Sequence, residues 1–391
     1  MKITAIETFA VHLQRDQPAA KGLAGSPNAL MGEGHYRWSQ DYPCLYSTRI
    51  ESALVKVTLD NGVSGWGEAQ APLAPEVACT IIESLLRPVL VGQPFTGAPA
   101  EIAAIWERMY ATMRVRGQTG GFMLDAMSGI DLALWDLAGK LAGQPVCKLV
   151  APHAPAVVPG YLSGVAGDST ATRVVFAKEH FERGIRLFKL YFESDWTALI
   201  DLIDALQLDL GPEAQFAIDA LWHLKSTSDA RELDTRQVAW LECPWMPEET
   251  AAHLELARSI RTPLALGESY RTLRELGPYL ESKAIGWVQP DLGRSGFTES
   301  LRIAAAAAHA GVSAVPHLSI ALGPQIAAAI HFAAAAENCN LCEFNPRVLE
   351  TANRFLKQPI VFTGSGYEVP TGAGWGIELD EAALQPFARP N

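Results

Sequence analysis

The sequence predicts an α/β protein whose larger part is an eight-stranded parallel barrel, preceded by an α+β unit covering about residues 1–125. Three observations carry this reading. From about residue 155 the chain becomes a series of short apolar runs, each closed by polar residues and each followed by a helix-like stretch. There are eight such runs, the number that closes a parallel barrel. The last seven recur at intervals of 23 to 30 residues, room for one strand, one helix and two loops.

In the first unit, alternating apolar and polar residues mark strands at 2–12, 52–60 and 63–68, and Asn61-Gly62 between the last two signals a tight hairpin. Helical patterns follow at 75–90, 98–115 and 122–141. Residues 15–46 form a long loop with Gly22, Gly25, Gly32 and Gly34, and a loop of that length in a compact unit is usually functional, here a lid. His35, Tyr36 and Trp38 are its candidate substrate contacts, or its anchors.

The barrel strands are expected at 158–162, 186–191, 215–219, 239–242, 263–268, 285–291, 313–317 and 341–343. In such barrels chemistry sits at the carboxyl ends of the strands, and the residues marking the last seven are Lys189, Asp219, Glu242, Glu268, Asp291, His317 and Glu343.

Composition narrows the function classes. The chain has 391 residues, 49% hydrophobic and 19% charged, without low-complexity tracts, which fits a compact enzyme-like protein. A formal charge of -12 opposes nucleic acid and anionic membrane, and a carboxylate substrate then requires a local cation. The start lacks the apolar core of a signal peptide, so a cytoplasmic location is expected. The apolar stretch 320–336 is broken by Pro324, Gln325 and His331 and reads as a buried helix rather than a membrane span. Of six cysteines only Cys339 and Cys342 form a CxxC, read as small buried thiols.

Asp219, Glu242 and Glu268 end three consecutive strands and would point into one mouth, where their repulsion calls for a cation. All-oxygen ligation favours Mg²⁺ over zinc. Lys189 and Tyr191, two apart on one strand, share a face beside that metal. The lysine is a base if its pKa falls toward neutrality; Tyr191 relays a proton, bonds the substrate or simply packs. Asp291 and His317 end adjacent strands and make a dyad in which the carboxylate fixes the imidazole tautomer. Glu343 completes the ring as a proton or hydrogen-bond donor, and Arg294 reads as an ion-pair partner of Asp291.

The motifs SGIDLALWDLAGKLAGQPVCKLV (128–150), QPDLGRSGFTE (289–299), VPHLS (315–319) and VPTGAGWGIELDE (369–381), with the three carboxylates, resemble the mandelate racemase subgroup of the enolase superfamily. The resemblance covers essentially the whole chain. It implies a modified (β/α)7β barrel at 126–350 under an α+β capping domain built from 1–125 and 351–391, with Mg²⁺ at the strand ends. By motif it places Lys189 on the second strand, Asp291 with His317 on the sixth and seventh, and Glu343 on the eighth. It implies a hydro-lyase that dehydrates a sugar acid; a racemase or epimerase is the alternative, and a silent binding protein with the same fold a third. Expected partners are a small-molecule carboxylate and further copies of the chain in a homo-oligomer. Tyr191 stands where many members have a second Lys or a His, and Leu221 where an Asn is frequent.

Overall fold

A computed structural model describes residues 1–15, 30–39 and 44–390, so part of the expected lid at 15–46 lies outside the described residues. Ile3–Gln14, Arg49–Leu59 and Ser64–Ala69 pair antiparallel. Ala388–Pro390 returns to pair with Ile3–Gln14, so both chain ends contribute to one sheet. The hairpin turns at Asn61-Gly62, where Gly62 takes φ +83° and the Asn61 side chain accepts the N–H of Val63 at 3.1 Å. Pro75–Ile81 and Arg87–Leu90 are α-helical, but Ile82–Leu86 between them is a π-turn. Pro88 lacks the N–H that would continue the α ladder, and the chain widens by a residue before it.

Gly121–Ala142 lies across the boundary expected at 125 and packs directly on this sheet. A Cβ on Gly67 would sit 2.0 Å from the Gly129 carbonyl oxygen, so the helix approaches as closely as glycine permits. Its other face meets Leu292–Ala310, where Asp131, fully buried, accepts the Thr298 N–H at 2.9 Å and hydroxyl at 2.5 Å. Burial outweighs those donors and pushes the Asp131 carboxyl up from its ordinary 3.8 to about 6. The native state therefore binds an extra proton between these values, and its stability falls as pH rises through that window, by up to about 1.4 kcal/mol per pH unit. Asp131→Asn should gain on the parent by that slope, read by denaturant unfolding at a series of pH values; a difference independent of pH would contradict it.

The barrel strands are Val157–Ser163, Leu187–Tyr191, Gln215–Asp219, Val238–Glu242, Leu264–Leu266, Trp287–Val288, Ser313–Ala314 and Cys342–Phe344, all parallel. The eighth pairs with the first, and Ala314 of the seventh makes an isolated parallel bridge to Cys339, just ahead of the eighth. The fifth to seventh are much shorter than expected, which leaves Glu268, Asp291 and His317 just past the strands. Gly267 explains the first departure: a Cβ there would lie 2.2 Å from the Gln289 backbone, so the chain leaves the ladder to pass a neighbouring strand. Asp291 instead caps Leu292–Ala310 by accepting from Gly293 N–H at 2.8 Å, and meets His317 in a single parallel bridge. The apolar run at 320–336 forms the buried helix Pro324–Ala335, and no described helix is long and apolar enough to cross a membrane. All six cysteines are free, Cys339 and Cys342 buried.

Candidate active site

The carboxyl ends of the strands bring seven ionisable side chains together, all but Glu268 almost wholly buried. Lys189, 1% exposed, reaches Glu242 Oε1 at 2.6 Å, Asp219 Oδ2 at 3.1 Å and Glu343 Oε1 at 3.4 Å. Burial pulls its ammonium down, but Glu242, Glu343 and Asp219 outweigh it and hold it well above its ordinary value. The expected fall toward neutrality is therefore reversed in this arrangement, because the carboxylates face the ammonium directly. Asp219 is pushed up by its own burial and by Glu242 and Glu268, against the pull of Lys189.

At the end of the seventh strand, His317 donates from Nδ1 to Asp291 Oδ2 at 2.7 Å, and its Nε2 lies 3.0 Å from Glu268 Oε2. Burial opposes its charge, yet Glu268 and the bond to Asp291 prevail and hold the imidazole well above its usual range. Glu268 answers in kind: burial raises it, but His317 outweighs that and holds it below the ordinary carboxylate value. Glu343 accepts from Ser163 Oγ at 2.6 Å and from Leu318 N–H at 2.8 Å, and Ser163 Oγ also lies 2.7 Å from the Tyr191 hydroxyl. Tyr191 is thus bonded through Ser163 to Glu343, with the Lys189 ammonium 5.3 Å from its ring centre.

Which residues fit a divalent cation follows from their donors. Glu242 and Glu268 offer carboxylate oxygens within 4.8 Å of one another and of the Cys243 thiol, and Asp219 joins Glu242 around the Lys189 ammonium. Trp240 Nε1 and Gln289 Nε2 occupy Glu242 Oε2 at 3.0 and 2.8 Å, leaving Oε1 toward the cluster. Two buried carboxylates and a partly buried third, Asp219 pushed toward protonation by its burial and then by Glu242 and Glu268, suit a hard cation. The backbone spends strain here: Leu221, Trp222 and Cys243 take φ of 48°, 62° and 44°, in the region that favours glycine.

The two positions that depart from the family pattern, Tyr191 and Leu221, pack on each other and against Tyr46 and Trp222. The described part of the segment expected as a loop instead forms a small antiparallel sheet of Leu30–Met31, Tyr36–Ser39 and Leu45–Ser47. Tyr46 on its last strand, not among the candidates, reaches this mouth. His35, Tyr36 and Trp38 make other contacts. Tyr36 bonds Glu51 at 3.3 Å and the Ala74 N–H at 2.9 Å, His35 meets Arg49, and Trp38 is half exposed. Arg294 makes no ion pair with Asp291 among the described residues; its Nε is buried without a hydrogen-bond partner, and its charge acts on Glu268 and Asp125. Glu68 and Gln325, buried polar residues behind the dyad, were also missed. The signal was present: each is a polar side chain inside an otherwise apolar or glycine-lined run, SGWGEA and GPQIAAAI.

Residues 45–151 match the mandelate racemase/muconate lactonizing enzyme N-terminal domain, and residues 173–383 the enolase C-terminal domain-like family. A D-galactarolactone cycloisomerase from Agrobacterium fabrum is 32% identical over 360 residues, 88% of this chain and 93% of that one. A solved protein from Sinorhizobium meliloti is 32% identical with full coverage of both chains and a TM-score of 0.93. A racemase from Streptomyces coelicolor A3(2), solved with bound magnesium, is 21% identical over 99% of this chain and all of that one, TM-score 0.80, a likeness that carries the fold alone.

Proposed function

Since the chain belongs to the mandelate racemase/muconate lactonizing enzyme family of the enolase superfamily, we propose that it removes the α-proton of a sugar acid and expels the oxygen on the adjacent carbon. The observation that carries this reading is that Lys189 and the His317–Asp291 pair both meet one carboxylate cluster, Lys189 through Asp219 and Glu242 and His317 through Glu268. Asp219, Glu242 and Glu268 would hold Mg²⁺, which when bound neutralises the substrate carboxylate and takes up negative charge that otherwise keeps Lys189 and His317 protonated. Lys189 Nζ or His317 Nε2 takes the α-proton, according to the substrate's configuration. With Lys189 as base, the electron pair left on the α-carbon forms the carbon–carbon double bond as the β-oxygen departs, and His317 Nε2 gives that oxygen a proton. Ser163 and the Leu318 N–H hold Glu343 in place beside Lys189.

When the β-oxygen leaves as water, the enol left behind tautomerises to a 2-keto-3-deoxy acid, a dehydration of an aldonate or aldarate. When it belongs to a ring, the same proton movements open the ring with no water lost, an isomerisation; the galactarolactone cycloisomerase relative favours this second reading. Incubation with mono- and diacid sugars and their lactones separates the outcomes by product mass. A 2-keto acid lighter by water means dehydration, one of unchanged mass ring opening, and α-hydrogen exchange with inversion alone means racemisation and defeats the proposal.

Chelation should abolish turnover and Mg²⁺ restore it. At a hundredfold excess over its dissociation constant, Mg²⁺ should also stabilise the folded protein by about 2.7 kcal/mol. Glu268→Gln should lose most of that shift. Undiminished turnover in excess chelator would sink the metal reading.

A further inference from the structure

Both oxygens of Asp291 are in use. Oδ2 accepts from His317, while Oδ1 accepts from the Gly293 N–H at 2.8 Å and from Gln325 Nε2 at 3.0 Å. Gln325 is fully buried at the start of the helix Pro324–Ala335, and this is its one side-chain hydrogen bond among the described residues, its Oε1 having no partner. A buried amide that uses one donor and leaves its oxygen without a partner is a costly way to fill space that Met would fill. Its seat requires glycine at 293: a Cβ there would lie 2.4 Å from Gln325 Oε1, so a larger residue would displace the amide from Asp291.

What fixes Gln325 comes from the capping sheet. Glu68, fully buried on Ser64–Ala69, accepts the Gln325 N–H on Oε2 at 3.1 Å and the Leu322 N–H on Oε1 at 2.6 Å, with Ser52 Oγ donating to Oε1 at 2.7 Å. One carboxylate from the capping unit thus satisfies two backbone donors at the start of a barrel helix, which has no side-chain cap of its own. A carboxylate beside imidazole selects its tautomer only while its own plane is held, and the amide together with the Gly293 N–H holds it.

We propose that Gln325 is a positioning residue for the Asp291–His317 pair and that Glu68 sets Gln325, so that the capping sheet is connected to the proton-transfer imidazole through Glu68, Gln325 and Asp291. This rests on the reading of His317 as a proton carrier. The test combines kinetics with NMR of the whole protein carrying ¹⁵N-histidine, in which the His317 Nδ1–H resonance is the one lost in His317→Asn. Gln325→Met, nearly equal in size but without the donor, should lower kcat about 10–100-fold with KM little changed, and should move or broaden that resonance. Glu68→Gln should do the same to a smaller degree. The double variant should be no worse than Gln325→Met alone, because the two act in series.

Turnover within about twofold of the parent and an unmoved resonance in both variants would overturn the proposal. A drop in kcat with an unmoved resonance would overturn it equally, since the loss would not pass through His317. Should Gln325→Met fail to fold, Glu68→Gln decides on the same readouts. The resonance is read without substrate, so full turnover in His317→Asn would remove the assigned role of the imidazole while still leaving its positioning to be judged.

Discussion

His317→Asn should lower kcat about 10²–10⁴-fold on the sugar acid identified by product screening, the range supplied by one positioned proton carrier. Asn matches the imidazole closely in size and can still bond one of its two carboxylate neighbours, but it cannot carry a proton. In the parent, the imidazole bridges Asp291 Oδ2 at 2.7 Å and Glu268 Oε2 at 3.0 Å, and those charges keep it protonated despite burial. With Lys189 as base, the two halves of the reaction come apart in this variant. Exchange of the α-hydrogen with deuterated solvent should persist while departure of the β-oxygen is lost. Full turnover in His317→Asn would end the assignment of His317, and loss of exchange together with elimination would make it the first base instead.

The barrel was legible because its strands are apolar runs closed by ionisable residues at a near-constant interval, and the seven side chains at the mouth were all named from that pattern. Strand lengths were not. The run 263–268 looks like one strand, yet Gly267 must pass the Gln289 backbone and the ladder stops at Leu266. The run 285–291 likewise ends early, because Asp291 serves as a helix cap. Contacts that join distant segments were illegible in principle. Nothing local in Glu68 or Gln325 says that 257 residues of chain separate two halves of one hydrogen bond. The same holds for Tyr46, whose packing on Tyr191 and Leu221 depends on where the long loop returns to the barrel.

The charge of Lys189 shows why residue type alone misdirects. A lysine beside a metal site reads as a base with a depressed pKa, but depression needs burial or positive neighbours to dominate. Here three carboxylates lie within 3.4 Å of Nζ, and their attraction exceeds the cost of burial. The lysine holds the cluster together in this arrangement, and its availability as a base depends on where that negative charge is otherwise taken up.

Lys189→Met should therefore have two effects, and their separation tests both roles. Removing one partner from a buried ion pair typically costs about 3–5 kcal/mol, because the remaining charge is left unpaired in the interior. Asp219, Glu242 and Glu343 would lose their shared cation at once, so the metal-free variant should be markedly less stable than the parent at neutral pH. That deficit should shrink in acid, where protonation relieves the repulsion, and should shrink again with Mg²⁺ as the carboxylates gain a new counter-charge. Activity should not follow stability. With Mg²⁺ present and the fold restored, Met still offers no proton acceptor, so α-hydrogen exchange and elimination should both fall by about 10²–10⁴-fold for substrates whose α-proton faces Lys189. Recovery of exchange together with stability would show that Lys189 acts only as a counter-ion, and the base would then be His317 for every substrate the protein accepts.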